Sequence, residues 1–126
     1  MEVIKSYTAA CDIPRNSLVK FSTTEDKVTL ATAATDLVLG ATLNKDVKTG
    51  EIVDVRLLGL GEVKFGGTVA KGEAFCAGTG GKAVKAAAGS IVAGFSLKDA
   101  VSGDIATAII VRSQIPAAVT GGSSGS

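Results

Sequence analysis

The chain has 126 residues, a formal net charge of +1, 46% hydrophobic residues, and neither histidine nor tryptophan. That length fits one domain with a core of its own, and the even charge balance, with no basic block, excludes the clustered positive face of a nucleic-acid binder. Missing imidazoles remove the commonest general base and metal ligand, while aromatics confined to Tyr7, Phe21, Phe65, Phe75 and Phe95 leave a core of small aliphatics with modest burial per residue.

In chain order, residues 1–10 come first. Glu2-Val3-Ile4-Lys5-Ser6-Tyr7 alternates weakly and reads either as an extended arm that orders on a partner or as the first strand of a sheet. The start lacks the apolar run of a secretory signal. No stretch approaches the ~18–20 apolar residues of a membrane span, so a soluble protein is expected. Ile13-Pro14 forces an extended entry. Leu18–Phe21 reads as a strand, Thr23–Lys27 as a hairpin turn and Val28–Leu30 as the returning strand. Ala31–Asp36 is small and helix-permissive, which predicts one short helical turn. Leu37–Leu43 then forms a strand centred on Gly40, and Lys48–Glu51 a turn.

The next strand is the clearest. Val53, Val55 and Leu57 share one face, Asp54 and Arg56 the other, and the parity runs through Gly59 and Gly61 to Val63 and Phe65. Two glycines on the inner face predict a bend or bulge where another backbone comes close. Gly66-Gly67 closes the unit.

The plan then repeats. Leu37–Leu43 is echoed by Ile91–Leu97, with a glycine at the same place in each; Gly50-Glu51-Ile52 is echoed by Gly103-Asp104-Ile105, and Ile13-Pro14-Arg15 by Val69-Ala70-Lys71. The turn Gly78-Thr79-Gly80-Gly81 calls for positive φ. The last strand is apolar on both sides, with Ile105, Ile109 and Val111 opposite Ala106, Ala108 and Ile110. Such a strand is covered on both sides, by the chain's own sheet or by another subunit. The expected organisation is an arm over 1–10, a β domain over 11–113 built from units of about 11–65 and 66–113, and an extension over 114–126 ending in a Gly/Ser linker.

No catalytic, cofactor or metal site is read from the residues. Cys11 and Cys76 lie in different units without CxxC spacing, and no imidazole stands by to form a thiolate. Gly78-Thr79-Gly80-Gly81-Lys82 lacks both the spacing and the hydroxyl residue of a phosphate loop. The carboxylates fall mostly in turns, Glu51 and Asp104 at equivalent turn exits, and no calcium-loop pattern occurs. A duplicated β unit without catalytic groups points to a scaffold, not an enzyme.

The order and spacing of Lys27-Val28, Ala31-Thr32-Ala33-Ala34-Thr35-Asp36-Leu37, Gly50-Glu51, Val53-Asp54-Val55, Val63-Lys64, Val69-Ala70-Lys71-Gly72 and Gly80-Gly81-Lys82-Ala83-Val84 resembles the small capsid decoration (cement) proteins of tailed bacteriophages, over about residues 8–113. The resemblance implies a mainly all-β, compact β-barrel or β-tulip-like domain with at most one or two short helices. It also implies a virion location on the outer capsid surface, binding to the major capsid protein of an expanded head, a homotrimer, and no nucleic-acid or membrane partner. Its arm corresponds to Glu2, Val3, Ile4, Lys5 and Tyr7 as capsid contacts, with Val3, Ile4 and Tyr7 as anchors, while the two-faced strand offers Ile105, Ile109 and Val111 as an oligomer contact. The rival reading is a carbohydrate- or peptide-binding β module, for which few aromatics remain.

Overall fold

The structure is a computed structural model and describes residues 3–23 and 26–114. The strands are β1 (Val3–Ala9), β2 (Leu18–Phe21), β3 (Lys27–Leu30), β4 (Gly40–Thr42), β5 (Ile52–Lys64), β6 (Ala74–Ala77), β7 (Ala83–Lys85), β8 (Ile91–Ser96) and β9 (Ile105–Gln114). The only helical element among the described residues is a 3-10 turn at Thr79–Gly81.

Hydrogen bonding runs β1-β3-β2-β4-β5, and β5 pairs back onto β1, closing a five-stranded barrel. It continues β5-β9-β8-β6-β7, and a parallel bridge from Ala83 to Phe65, just past β5, returns the second set of five to its start. The two units share one wiring. β1–β3 is parallel, like the Phe65–Ala83 bridge, and every other pairing is antiparallel. β5 is therefore both the last wall of the first barrel and the first wall of the second.

The sequence repeat survives as repeated hydrogen bonds. Gly50 N–H donates to Ala9 O and Ala9 N–H to Glu51 O, at 2.8 and 2.9 Å; Gly103 and Phe65 make the equivalent pair with Phe65 O and Asp104 O at 2.8 and 2.7 Å. The bridge Ile13–Val47 matches Val69–Ala100. Carboxylates hold the turns from outside. Asp46 accepts the N–H of Arg15 at 2.9 Å and Asp99 that of Lys71 at 2.8 Å, while Glu51 and Asp104 accept the N–H groups of Lys48 and Val101 at 2.9 and 3.0 Å. Each bond gives a turn amide a charged acceptor, which is stronger than a neutral one.

The matched glycines have a steric cause. A Cβ on Gly40 would collide with the carbonyl oxygen of Arg56, and a Cβ on Gly94 with that of Ile109, in each case a carbonyl of the facing strand. β4 and β8 thus cross their neighbours at a distance that admits no side chain.

The bend expected at Gly59 and Gly61 is present. The β1–β5 register shifts between Val3 and Ile4, leaving Leu57 as an extra residue, and Gly59 adopts φ +119°. Before the bend, Val53 and Val55 belong to a cluster with Ala9, Ile13, Val19 and Val28. Beyond it, Val63 joins Phe65, Phe75, Ala108 and Ile110. At Gly61 the close neighbour is the Arg56 side chain, not a backbone.

Two expectations change. Ala31–Asp36 is not helical, because the Asp36 carboxylate takes the N–H groups of Thr32 and Ala33 at 2.9 and 3.1 Å and folds the segment into a turn. Of the two readings of the N-terminus, Val3–Ala9 is a strand, paired with β5 from Val3 to Thr8 and with β3 at Thr8 and Ala9.

Three outcomes are expected. Gly40→Ala and Gly94→Ala should each cost about 2–3 kcal/mol in urea unfolding, whereas Gly67→Ala, whose added carbon finds its nearest neighbour at 3.9 Å, should stay within about 0.5 kcal/mol. Deleting residues 1–7 removes most of a barrel wall and should abolish the cooperative melt; a melt like that of the full chain would contradict the closed barrel. Acid should destabilise in a defined window. The Thr49 N–H and hydroxyl hold the Asp12 carboxyl below its ordinary 3.8, the Arg15 N–H and side chain do so at Asp46, and the Ala70 N–H with Lys85 holds Glu73 below 4.5. Folded values below unfolded ones stabilise fully above the unfolded values, and that stability is lost as pH falls through the folded ones. Melting temperature should thus be flat above about pH 5 and fall below about pH 4, less steeply in Asp46→Asn.

Candidate functional site

The described residues bring together no cluster of three or more Cys, Asp or Glu fit to hold a metal ion. One open hollow of about 190 Å³ is lined by Leu43, Lys45, Val47, Ile52, Val53 and Asp54. Of its charged groups, Asp54 already accepts the Ser6 hydroxyl at 2.6 Å. The two thiols are free: Cys11 is part-buried with Sγ 3.3 Å from the Thr29 hydroxyl, and burial pushes the Cys76 thiol up, away from reactivity.

What the outside of the molecule offers is an apolar row. Leu60 on β5 pairs with Ile109 on β9, Ile109 with Phe95 on β8, and Phe95 with Ala74 on β6. Directly paired residues share a face, so the row crosses four strands. Leu60 is 58% exposed, and Ile109 and Phe95 are each 38% exposed. On the reverse face of the same strands Ala108, Ile110 and Val63 are fully buried. Polar groups border the row: Glu62 pairs with Thr107, and Lys64 pairs with Ile105. Glu62 and Lys64 carry opposite charges and leave the border neutral.

The expected two-sided cover of β9 is thus half met within the chain. Its inner face is sealed by the chain's own sheet, and its outer face is open. Of the three residues expected as an oligomer contact, Ile109 is the centre of the row. Ile105 lies toward one end of β9, exposed, and Val111 lies beyond Ile109, half-buried. Leu60 and Phe95 were not singled out from sequence. They become neighbours of Ile109 only through cross-strand register, although the alignment of Ile91–Leu97 with Leu37–Leu43 already marks Phe95 as the one aromatic in the repeated strand.

The N-terminal set divides. Val3 and Ile4 are exposed, paired with Leu58 and Arg56. Tyr7 instead packs against the first barrel's core and meets Phe21 edge-on, with ring centroids 5.7 Å apart and the Lys5 ammonium 5.8 Å above its ring. Glu2 lies outside the described residues.

No curated protein sequence matches the chain. Among solved structures, the fold is shared with the crystal structure of the head fiber gp8.5 N base of bacteriophage phi29, at a TM-score of 0.68 and 24% identity, covering 91% of this chain and 98% of that one. The resemblance to phage head proteins stands at the level of a structural, head-associated family. Residues 1–119 match the family model of head fiber proteins, and the chain belongs to that phage head-associated structural family.

Proposed function

We propose that this chain forms the base by which a head fiber seats on the outside of an expanded phage head, working as a homotrimer that bridges major capsid subunits and braces the shell against internal DNA pressure. The observation that carries the reading is the match of residues 1–119 to the head fiber family. The likeness to the N base of the phi29 head fiber supports the placement at the foot of a fiber. The structure is consistent with this role. The first five described strands close into a barrel, and the second five are brought back to their start by the Phe65–Ala83 bridge. The exposed row of Leu60, Ile109 and Phe95 lies on a sheet face.

The physical logic is that of a clamp. A trimer touching several capsid subunits converts individually weak contacts into one tight attachment, because each later contact forms at high effective concentration. Closed rotational symmetry uses up the interface without leaving a sticky surface. Within this reading Val3, Ile4 and Lys5, exposed along β1, serve the capsid side. Ile105, Ile109 and Val111 serve the contact between copies.

The purified chain, mixed with expanded and unexpanded heads and sedimented, should bind the expanded shells saturably, at a stoichiometry of three chains per site, and raise their rupture temperature. Absence of binding, or binding equal on both kinds of head, would overturn the reading.

A further inference from the structure

The duplication gives a measure of what is missing from each unit. In the first unit the residues equivalent to Leu60–Ile109–Phe95–Ala74 are Ile4–Arg56–Ala41–Leu18, joined by the same cross-strand pairs. There the outer face is covered from Arg56 to Leu18, while Ile4 at its far end is 43% exposed. Ala41 and Leu18 are buried to 1% and 0% exposure in one cluster with Val63, Phe65 and Phe75 of the second unit, and the Arg56 side chain lies over Gly61. The outer face of the first barrel therefore closes the second barrel. The equivalent face of the second unit carries Ile109 and Phe95 where the first has Arg56 and Ala41, and both are exposed, as is Leu60 beside them.

The first barrel shows the complementary deficit. In the second unit Val63, Ile110 and Ala77 are sealed by the contact just described. Their counterparts in the first unit are Tyr7 and Leu57, only half-buried, and Phe21, 55% exposed. The chain thus contains one copy of a face-to-barrel contact and leaves both of its unmatched halves open, one on each unit. Its own downstream strand does not fold over the row as β5 does in the first unit. Where β5 bends at Gly59, β9 has Arg112 and runs on beside β8 through Val92–Ser113 and Ile91–Gln114.

We propose that copies of this chain associate head to tail, the Leu60–Ile109–Phe95 face of one copy closing the Tyr7–Leu57–Phe21 end of the next, as the first unit's outer face closes the second barrel. The proposal rests on the self-association within the reading above and specifies its partner surfaces. Such a contact is heterologous, so its rotation decides between a closed ring and an open filament; a three-fold ring is the closed form that reading requires.

The test uses two full-length variants, Ile109→Asp on the face and Phe21→Asp on the barrel end, each checked for fold by circular dichroism and thermal melting. Sedimentation velocity on wild type up to about 1 mM, where even weak contacts populate, should show concentration-dependent assembly. Each variant alone should be monomeric, with self-association weakened at least about tenfold. An equimolar mixture of the two should give a 1:1 dimer, because one intact face meets one intact barrel end. Should a variant fail to fold, Leu60→Lys or Phe21→Ala replaces it.

A wild type that stays monomeric overturns the proposal. So does a Phe21→Asp protein that dimerises alone, which would mean face meeting face. Assembly that appears only on truncation after Gln114 would assign the row to the chain's own C-terminal segment, and also overturns it. Shell cosedimentation is a separate readout. Assembly without shell binding keeps this inference and removes the capsid reading; shell binding by a chain that never self-associates does the reverse.

Discussion

Both barrels depend on β5, because a single strand must serve as a wall in each. A straight strand of alternating residues has one inner face. Val53 and Val55 would then share a core with Val63 and Phe65, and the second barrel would have to be built on the same side as the first. The extra residue at Leu57 and the positive φ of Gly59 separate the two stretches, and the valines before the bend and after it fall in different clusters. The side chain of Arg56 then passes over Gly61, an inner position with no side chain of its own. Bend, extra residue and bare position act together, and a side chain at residue 59 or 61 would disturb both units.

The composition follows from the geometry. A five-stranded barrel has a narrow interior, and the second core is filled largely by Ala31, Ala41, Ala77, Ala83, Ala93, Ala100 and Ala108 around the edge-to-face pair Phe65–Phe75, whose centroids are 5.5 Å apart. Large side chains would not fit, which is why so apolar a chain has so few aromatics. The apolar groups that exceed the capacity of the cores, Leu60, Ile109, Phe95 and Phe21 among them, stand on the surface, where binding would have to take place.

Much of this was legible in the residues. The repeat of Gly40 as Gly94 and of Gly50-Glu51-Ile52 as Gly103-Asp104-Ile105 reflects close strand crossing and turn closure, constraints strict enough to hold sequence in place. The bend at Gly59 was readable for the same reason. Other features were not. Lys45-Asp46-Val47 and Lys98-Asp99-Ala100 also repeat, but a carboxylate accepting an amide from a loop far away in sequence looks like any surface Asp until the loops meet. Ala31–Asp36 has helical composition, and the competing bonds to Asp36 override it. Tyr7 was grouped with Val3 and Ile4 by proximity in sequence, whereas pairing with Val53 turns it toward the core. The row across β5, β9, β8 and β6 is a property of register, which local patterns do not encode.

In stacked repeat proteins a terminal unit normally ends in a polar outer face, since nothing follows to cover it. Here the order is reversed. The face covered within the chain reads Arg56, Ala41, Leu18, and the open one at the equivalent strands carries Ile109 and Phe95, with Leu60 beside them. Each large aliphatic or aromatic side chain gains about 1.5–3 kcal/mol on full burial, and a partly exposed one leaves much of that unrealised. Folding of the single chain does not require three such residues on that face, because the cores are complete without them and the positions beside them accept Glu62 and Lys64. Their presence at the open end of a duplicated stack is therefore better explained by a contact made after folding than by the fold itself, and the neutral border of opposite charges suits a surface that meets another copy without electrostatic opposition.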